Sequence, residues 1–272
     1  MEAGGHRRMT RSPGGTAYEV FGPQGAPVVV LVHGMGLSRA IWKWLIPVLA
    51  ARFRVVTFDL AGHGESAAPK DQPVLRDLTR QLADLLDHLG IAHAAIVGFS
   101  LGGMVARRMA QDDPARVGAM VILHSPHRRT PEAQAAIEAR VEQAKGAGPA
   151  ATVEAALLRW YSEAALANRQ DLMDQTRAWV LANDPKVYPG LYRILADGVE
   201  EIVAPRPPIS CPTLVLTADE DFGNGPEMSA AIAAEIKGAR LIILQGLRHM
   251  ALVENPDAVN RPVMEFLTEV LA

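Results

Sequence analysis

The chain has a single cysteine in 272 residues, so no internal disulfide can form. Cys211 precedes an apolar run and reads as a buried structural thiol rather than a reactive one. Aromatic residues are few, at 5%, and there is no sustained run of one charge. The formal net charge is −3, which offers no electrostatic footprint for nucleic acid or for an anionic membrane surface. The adjacent pairs Arg107–Arg108 and Arg128–Arg129 read as solvated faces or helix ends. Long hydrophobic runs are also missing. The longest, Val28 to Val32, is far too short to cross a bilayer. The first fifteen residues lack the apolar core of a secretory signal, and they predict a loosely held tail over 1–15. Together these absences leave a cytoplasmic enzyme as the expectation.

What is present alternates. Short runs rich in β-branched residues predict buried parallel strands at Val28–Val32, 55–58, 95–97, 120–123, 213–217 and 241–244. Ala17–Phe21 alternates more weakly and predicts an edge strand. Leu75, Leu78, Leu82, Leu85, Leu86 and Leu89 recur at helical spacing and stop at Gly90. Strand-then-helix alternation over the first 125 residues implies an α/β fold, a parallel sheet covered on both faces. From 126 to 208 strand signals vanish and the composition turns Ala-rich and helical. Alternation returns after the proline-rich stretch 205–208. The expected organisation is a tail over 1–15, one α/β core from 16–125 and 209–272, and an all-helical insertion over 126–208. Core packing accounts for most aromatic stripes of such an insertion. Trp160, Tyr161, Trp179, Tyr188 and Tyr192 are nonetheless candidates to line a pocket beneath it, with Trp42 from the loop 41–44.

The stretch Gly98-Phe99-Ser100-Leu101-Gly102 matches G-x-S-x-G, a weak signal alone. Its context strengthens it, because an apolar run precedes it and a helical pattern follows. A tight strand-to-helix turn would hold Ser100 in a strained backbone conformation, and side chains two positions away on either side would collide with neighbouring backbone. Such a turn projects the hydroxyl outward at a helix N-terminus, which favours developing negative charge. A serine hydroxyl also needs a base. Of eight histidines, His249 follows the last predicted strand and precedes a helical ending, from where it can reach back to Ser100. His33 reads as a structural hydrogen bonder. His124 and His127 imitate a metal pair, yet no further ligands stand at ligand spacing, so no metal is expected. The loop after 213–217 offers Asp219, Glu220 and Asp221. Helix capping or solvation explains such acids equally well; Asp221, the last before the turn, is the candidate to orient the imidazole. His33-Gly34-Met35-Gly36 follows a buried strand and can aim the N–H of Met35 into the site. With the N–H of Leu101 it would hold an oxyanion.

Taken in order, HGMG, FDLAGHGES (59–66), GFSLG, the acid loop and GLRHMALVENP resemble the α/β-hydrolase superfamily from Tyr18 onward. The order serine, acid, histidine is also that family's. SLGGMVA, HSPHRRTPEAQ and LRHMALVENP are most similar to small bacterial 3-oxoadipate enol-lactonases and related carboxylesterases. The resemblance implies a mostly parallel sheet of about eight strands with a helical cap over the active site. It also implies Ser100 as nucleophile, His249 as base, Asp221 as acid, Met35 and Leu101 as oxyanion donors, and no cofactor. Serine at position 100 argues against the dehalogenase and epoxide hydrolase branches, which attack with a carboxylate. The stretch FGNGP after Asp221 departs from the Thr-Pro common in the family.

The expected activity is hydrolysis of a small or medium apolar carboxylic ester or lactone through an acyl-enzyme intermediate. Several alternatives use the same triad. One is 3-oxoadipate enol-lactonase proper, whose anionic substrate would draw a cation from Arg128, Arg129, Arg159 or Arg193. Others are C–C bond hydrolysis and cofactor-free perhydrolase or haloperoxidase chemistry. A non-catalytic ligand receptor is the reading from another class. The only partner expected is a small-molecule substrate, with neither nucleic acid nor membrane. Oligomeric state leaves no trace in the sequence.

Overall fold

The computed structural model describes residues 10–272. Its strands are β1 (Thr10–Arg11), β2 (Ala17–Phe21), β3 (Val28–Val32), β4 (Arg54–Phe58), β5 (Ala94–Phe99), β6 (Val117–Leu123), β7 (Thr213–Ala218) and β8 (Arg240–Leu244). They form one sheet in the order β1-β2-β4-β3-β5-β6-β7-β8. β1 pairs antiparallel with β2, and β2 antiparallel with β4. All pairings from β4 through β8 are parallel. Helices cover both faces of a parallel sheet, which is why β5 and β7 are buried at every position instead of alternating.

Two expectations change at the N-terminus. Ala17–Phe21 is a strand but not an edge, because Thr10 and Arg11 pair with Tyr18 and Ala17 on its outer side. The tail expected over 1–15 does not hold for residues 10–15. Residues 1–9 lie outside the described residues, whereas 10–11 are in the sheet and Gly15 N–H closes a turn onto Ser12 O at 2.9 Å. A two-residue strand carries no periodicity to read, so the sequence could not announce it.

The leucine pattern forms the helix Leu75–His88, with Leu75, Leu78, Leu82, Leu85 and Leu86 buried. It stops where Gly90 takes φ 64°, a left-handed conformation that suits glycine. No helix among the described residues is long and apolar enough to cross a membrane.

Between β6 and β7 the chain builds only helices: Pro131–Ala147, Val153–Trp160, Glu163–Asn168, Gln170–Leu181 and Tyr188–Asp197, with two short 3-10 turns. This segment is laced to the loops at the C-terminal ends of the strands. Asn183 Nδ2 donates to Gly36 O at 2.8 Å, and Met250 N–H to Trp160 O at 2.9 Å. Arg248 donates to Leu158 O at 3.1 Å and Tyr161 O at 2.9 Å. A Cβ on Gly62 would meet Val187 at 2.9 Å and Leu191 at 3.1 Å. The insertion therefore sits over the strand ends, where ligands bind in open α/β sheets.

Two buried histidines join the loops after β3 and β4. His33 Nδ1 donates to Gly34 O at 2.7 Å, and its Nε2 accepts the N–H of Leu60 at 2.9 Å. His63 Nε2 accepts the N–H of Gly36 at 3.0 Å. An imidazole can accept at Nε2 only when neutral. Burial enforces that state, lowering His33 to about 4. Burial, with repulsion from His33, lowers His63 to about 3. Unfolded, both would protonate near pH 6.5. Stability contributed by the pair is thus fully present above about pH 6.5 and is lost as pH falls toward the folded values. The slope is about 1.4 kcal/mol per pH unit for each histidine. Urea unfolding between pH 7 and pH 5 measures this slope, and His63→Gln is expected to reduce it by the share of one histidine.

Candidate active site

β5 ends at Phe99 and the helix Leu101–Asp112 begins at Leu101, so Ser100 alone turns the chain. It does so at φ 54° and ψ −113°, a region that costs a non-glycine residue about 1–3 kcal/mol. The surroundings hold it there. Ser100 N–H donates to Leu123 O at 2.8 Å, and its carbonyl accepts Ser125 Oγ at 2.9 Å. The flanking glycines are required by contact. A Cβ on Gly98 would lie 2.2 Å from Gly102 O, and one on Gly102 would lie 2.0 Å from Val32 O. Backbone packs against backbone at both positions, leaving nothing that can move aside.

The acid and the histidine come from the ends of β7 and β8. Asp221 Oδ2 lies 2.8 Å from His249 Nδ1. Its Oδ1 accepts the N–H groups of Gly223 at 3.1 Å and Asn224 at 3.0 Å. A second imidazole shares Oδ2: His124 Nδ1 lies 2.9 Å away. Burial by itself would raise the carboxyl of Asp221, but the two imidazoles outweigh it and hold the carboxyl well below the usual range. An ionised carboxylate only accepts, so both Nδ1 atoms carry protons. Burial lowers His124 below its ordinary value against the opposing pull of Asp221. It is accordingly neutral, with its buried Nε2 unpartnered among the described residues. Asp219 and Glu220 play other parts: Asp219 accepts the N–H of Gly246 at 2.8 Å, and Glu220 faces Arg248 at 3.4 Å.

Ser100, Asp221 and His249 line one cavity with Gly34, Met35 and Phe99. The Phe99 ring, adjacent to Ser100 in the chain, has its centroid 4.9 Å from that of His249. The cavity measures about 80 Å³, room for a handful of waters and hence for a small ligand. Met35 faces it, and Leu101 opens the following helix, where first-turn N–H groups have no helical acceptor.

The aromatic candidates divide. Trp160 and Tyr188 line the cavity, as does Tyr192. Trp42, Tyr161 and Trp179 do not. Trp42 is wholly buried in the core, Tyr161 is buried with its hydroxyl 2.6 Å from Thr176, and Trp179 packs against the core beside Lys43. A helical stripe reveals which residues are buried, but not whether they face the core or a ligand. The cation candidates divide too. Arg129 and Arg159 reach the cavity, joined by Arg140. Arg128 is exposed near Glu200, and Arg193 pairs with Glu142.

A family model described as alpha/beta hydrolase fold matches residues 27–256. The chain belongs to the α/β-hydrolase family. This α/β-hydrolase is 26% identical over 252 residues to the (E)-2-((N-methylformamido)methylene)succinate hydrolase of Acinetobacter baylyi, covering 93% of this chain and 94% of that protein. The enol-lactonase of Burkholderia xenovorans superposes with a TM-score of 0.85 at 26% identity, covering 93% of this chain and 96% of that one. A thermophilic esterase from Thermogutta terrifontis, solved with malate bound, also gives 0.85 at 27% identity, with 97% of each chain covered.

The sequence does not single out His124, which reads there as one motif with His127; in this α/β-hydrolase they face different acids, since His127 Nε2 lies 3.0 Å from Glu235. The available signal was position: His124 immediately follows β6, beside β7 whose end carries the acid loop. Replacing His124 with Phe removes a charge-assisted hydrogen bond to Asp221 and is expected to cost about 2 kcal/mol in urea unfolding at neutral pH. Gly102→Ala is expected to cost about 3 kcal/mol or more in the same measurement, because the obstruction is backbone.

Proposed function

We propose that this α/β-hydrolase cleaves carboxylic esters or lactones through an acyl-enzyme intermediate. In this reading Ser100 is the nucleophile, His249 the base and Asp221 the acid that orients it. One observation carries the reading: the Asp221–His249 hydrogen bond of 2.8 Å opens onto the same cavity as Ser100, on its strained strand-to-helix turn.

The chemistry follows from the roles. With Nδ1–H held by Asp221, His249 presents a free Nε2 lone pair. That nitrogen takes the Ser100 proton as Oγ attacks the substrate carbonyl, and Asp221 steadies the resulting imidazolium. Collapse of the tetrahedral intermediate expels the alkoxide, which takes the proton from His249 and leaves Ser100 acylated. Water then attacks the acyl group with the same base, releasing the acid and restoring the serine. The N–H groups of Met35 and Leu101 would bind the oxyanion, where losing one such donor typically costs about 3 kcal/mol. The helical insertion serves as the cap, and Trp160 and Tyr188 form part of the substrate wall.

Turnover of 4-nitrophenyl esters of increasing chain length and of simple lactones tests this reading. Ser100→Ala is expected to lower the rate about ten-thousand-fold or more, and a serine-directed phosphonate is expected to label Ser100. A coloured ring-fission dienoate in the same panel separates ester from C–C bond cleavage. No turnover of any ester or lactone, together with an unlabelled Ser100, would remove the proposal.

A further inference from the structure

Three arginines enter the cavity from the helical insertion. Arg129 precedes the helix Pro131–Ala147, Arg140 lies within it, and Arg159 comes from Val153–Trp160. All three are half-buried. Their partners are uncharged: Arg129 donates to Leu195 O at 2.9 Å, Ala196 O at 3.2 Å and Gln134 Oε1 at 3.4 Å. Arg159 donates to Ala155 O at 2.8 Å. Arg140 Nε is buried with no partner among the described residues. No carboxylate of a described residue lies within 4.0 Å of any of these guanidinium groups. Asp197, at the end of the neighbouring helix, faces Arg193 instead at 3.6 Å.

Acids outnumber bases, 30 to 27, and Arg39, Arg116, Arg177 and Arg193 all have carboxylate partners. Burial, then repulsion from Arg140, lowers Arg129 to about 10, and the same two causes lower Arg159. At neutral pH these groups remain charged. Like charges gathered in a partly dry pocket cost free energy that only an anion can recover. Of the cavity's lining residues, Asp221 alone is acidic. Three guanidinium groups against the single carboxylate of Asp221 leave an excess of two positive charges in the lining.

We propose that Arg129, Arg140 and Arg159 form a subsite for a substrate carrying two carboxylates, held on the insertion side while its ester or lactone carbonyl faces Ser100. The assignment rests on the hydrolase reading for its reactive group, but the charge match stands apart from it. Guanidinium forks suit carboxylates because each can donate two parallel N–H bonds. The apolar ester expected from the aromatic content is correspondingly disfavoured, because it would leave the three half-buried charges unanswered.

Calorimetric titration of the whole protein with succinate, monoanionic propionate and neutral succinamide tests the subsite. Succinate is expected to bind at least about tenfold more tightly than propionate, with no binding of succinamide. Its affinity is expected to fall as salt rises from roughly 50 to 300 mM. Arg140→Met and Arg159→Met are each expected to weaken succinate about tenfold or more, and Arg140→Lys, which keeps the charge but loses the fork, to fall between. Equal binding of succinate and succinamide, absence of succinate binding, or folded arginine variants with unchanged affinity would overturn the proposal. Succinate binding without phosphonate labelling of Ser100 would support the subsite and remove the hydrolase reading. Labelling of Ser100 without any preference for succinate would do the reverse.

Discussion

The carboxylate of Asp221 is the contact on which the site is built. It gathers four N–H groups: two from its own loop and one from each of two imidazoles on different strand ends. Hydrogen bonds to an ionised acceptor are roughly twice as strong as neutral ones, and a buried carboxylate without them would not stay ionised. The strand ends of β6, β7 and β8 are thereby tied at one point. His249 is fixed in tautomer and direction by the same contact, and His124 gives the carboxylate a second brace that does not face the cavity.

Close backbone contact does the corresponding work at Ser100. The turn can be tight only because Gly98 and Gly102 let the end of β5, the first turn of the next helix and the end of β3 touch without side chains between them. The adjoining loop is held by neutral His33 and His63, which keep Gly34, Met35 and Gly36 in place. Sheet, elbow and glycine loop thus form one rigid floor. The helical insertion closes over it through Asn183, Arg248 and Tyr188, and it brings the positive charge with it.

Much of this could be read in the chain. Six β-branched runs each fell within a strand; the inner ones are continuously apolar because they are buried on both faces, while β8 lies at the more exposed sheet edge. The strand-to-helix change around Ser100 was visible as a change of period, and the chain order serine, acid, histidine came with the family motifs. Less was legible where residues carry two possible meanings. Tyr161 and Trp179 look like Trp160 and Tyr188 in a helical stripe, yet only the latter two face the cavity. Arg140 sits in a helix whose polar pattern resembles any solvated face, and nothing local distinguishes it from Arg128 or Arg193.

By itself the sequence determined the layered fold, the strand-to-helix turn at Ser100, and that His249 and a loop of three acids follow the last strands. Periodicity and glycine placement are local properties, and each is decided by a few neighbouring residues. The tertiary structure alone decided that two histidines share one acid and that three arginines converge without counter-charges. Both depend on distances between residues far apart in the chain, and the free energy of a charge depends on what surrounds it rather than on what precedes or follows it.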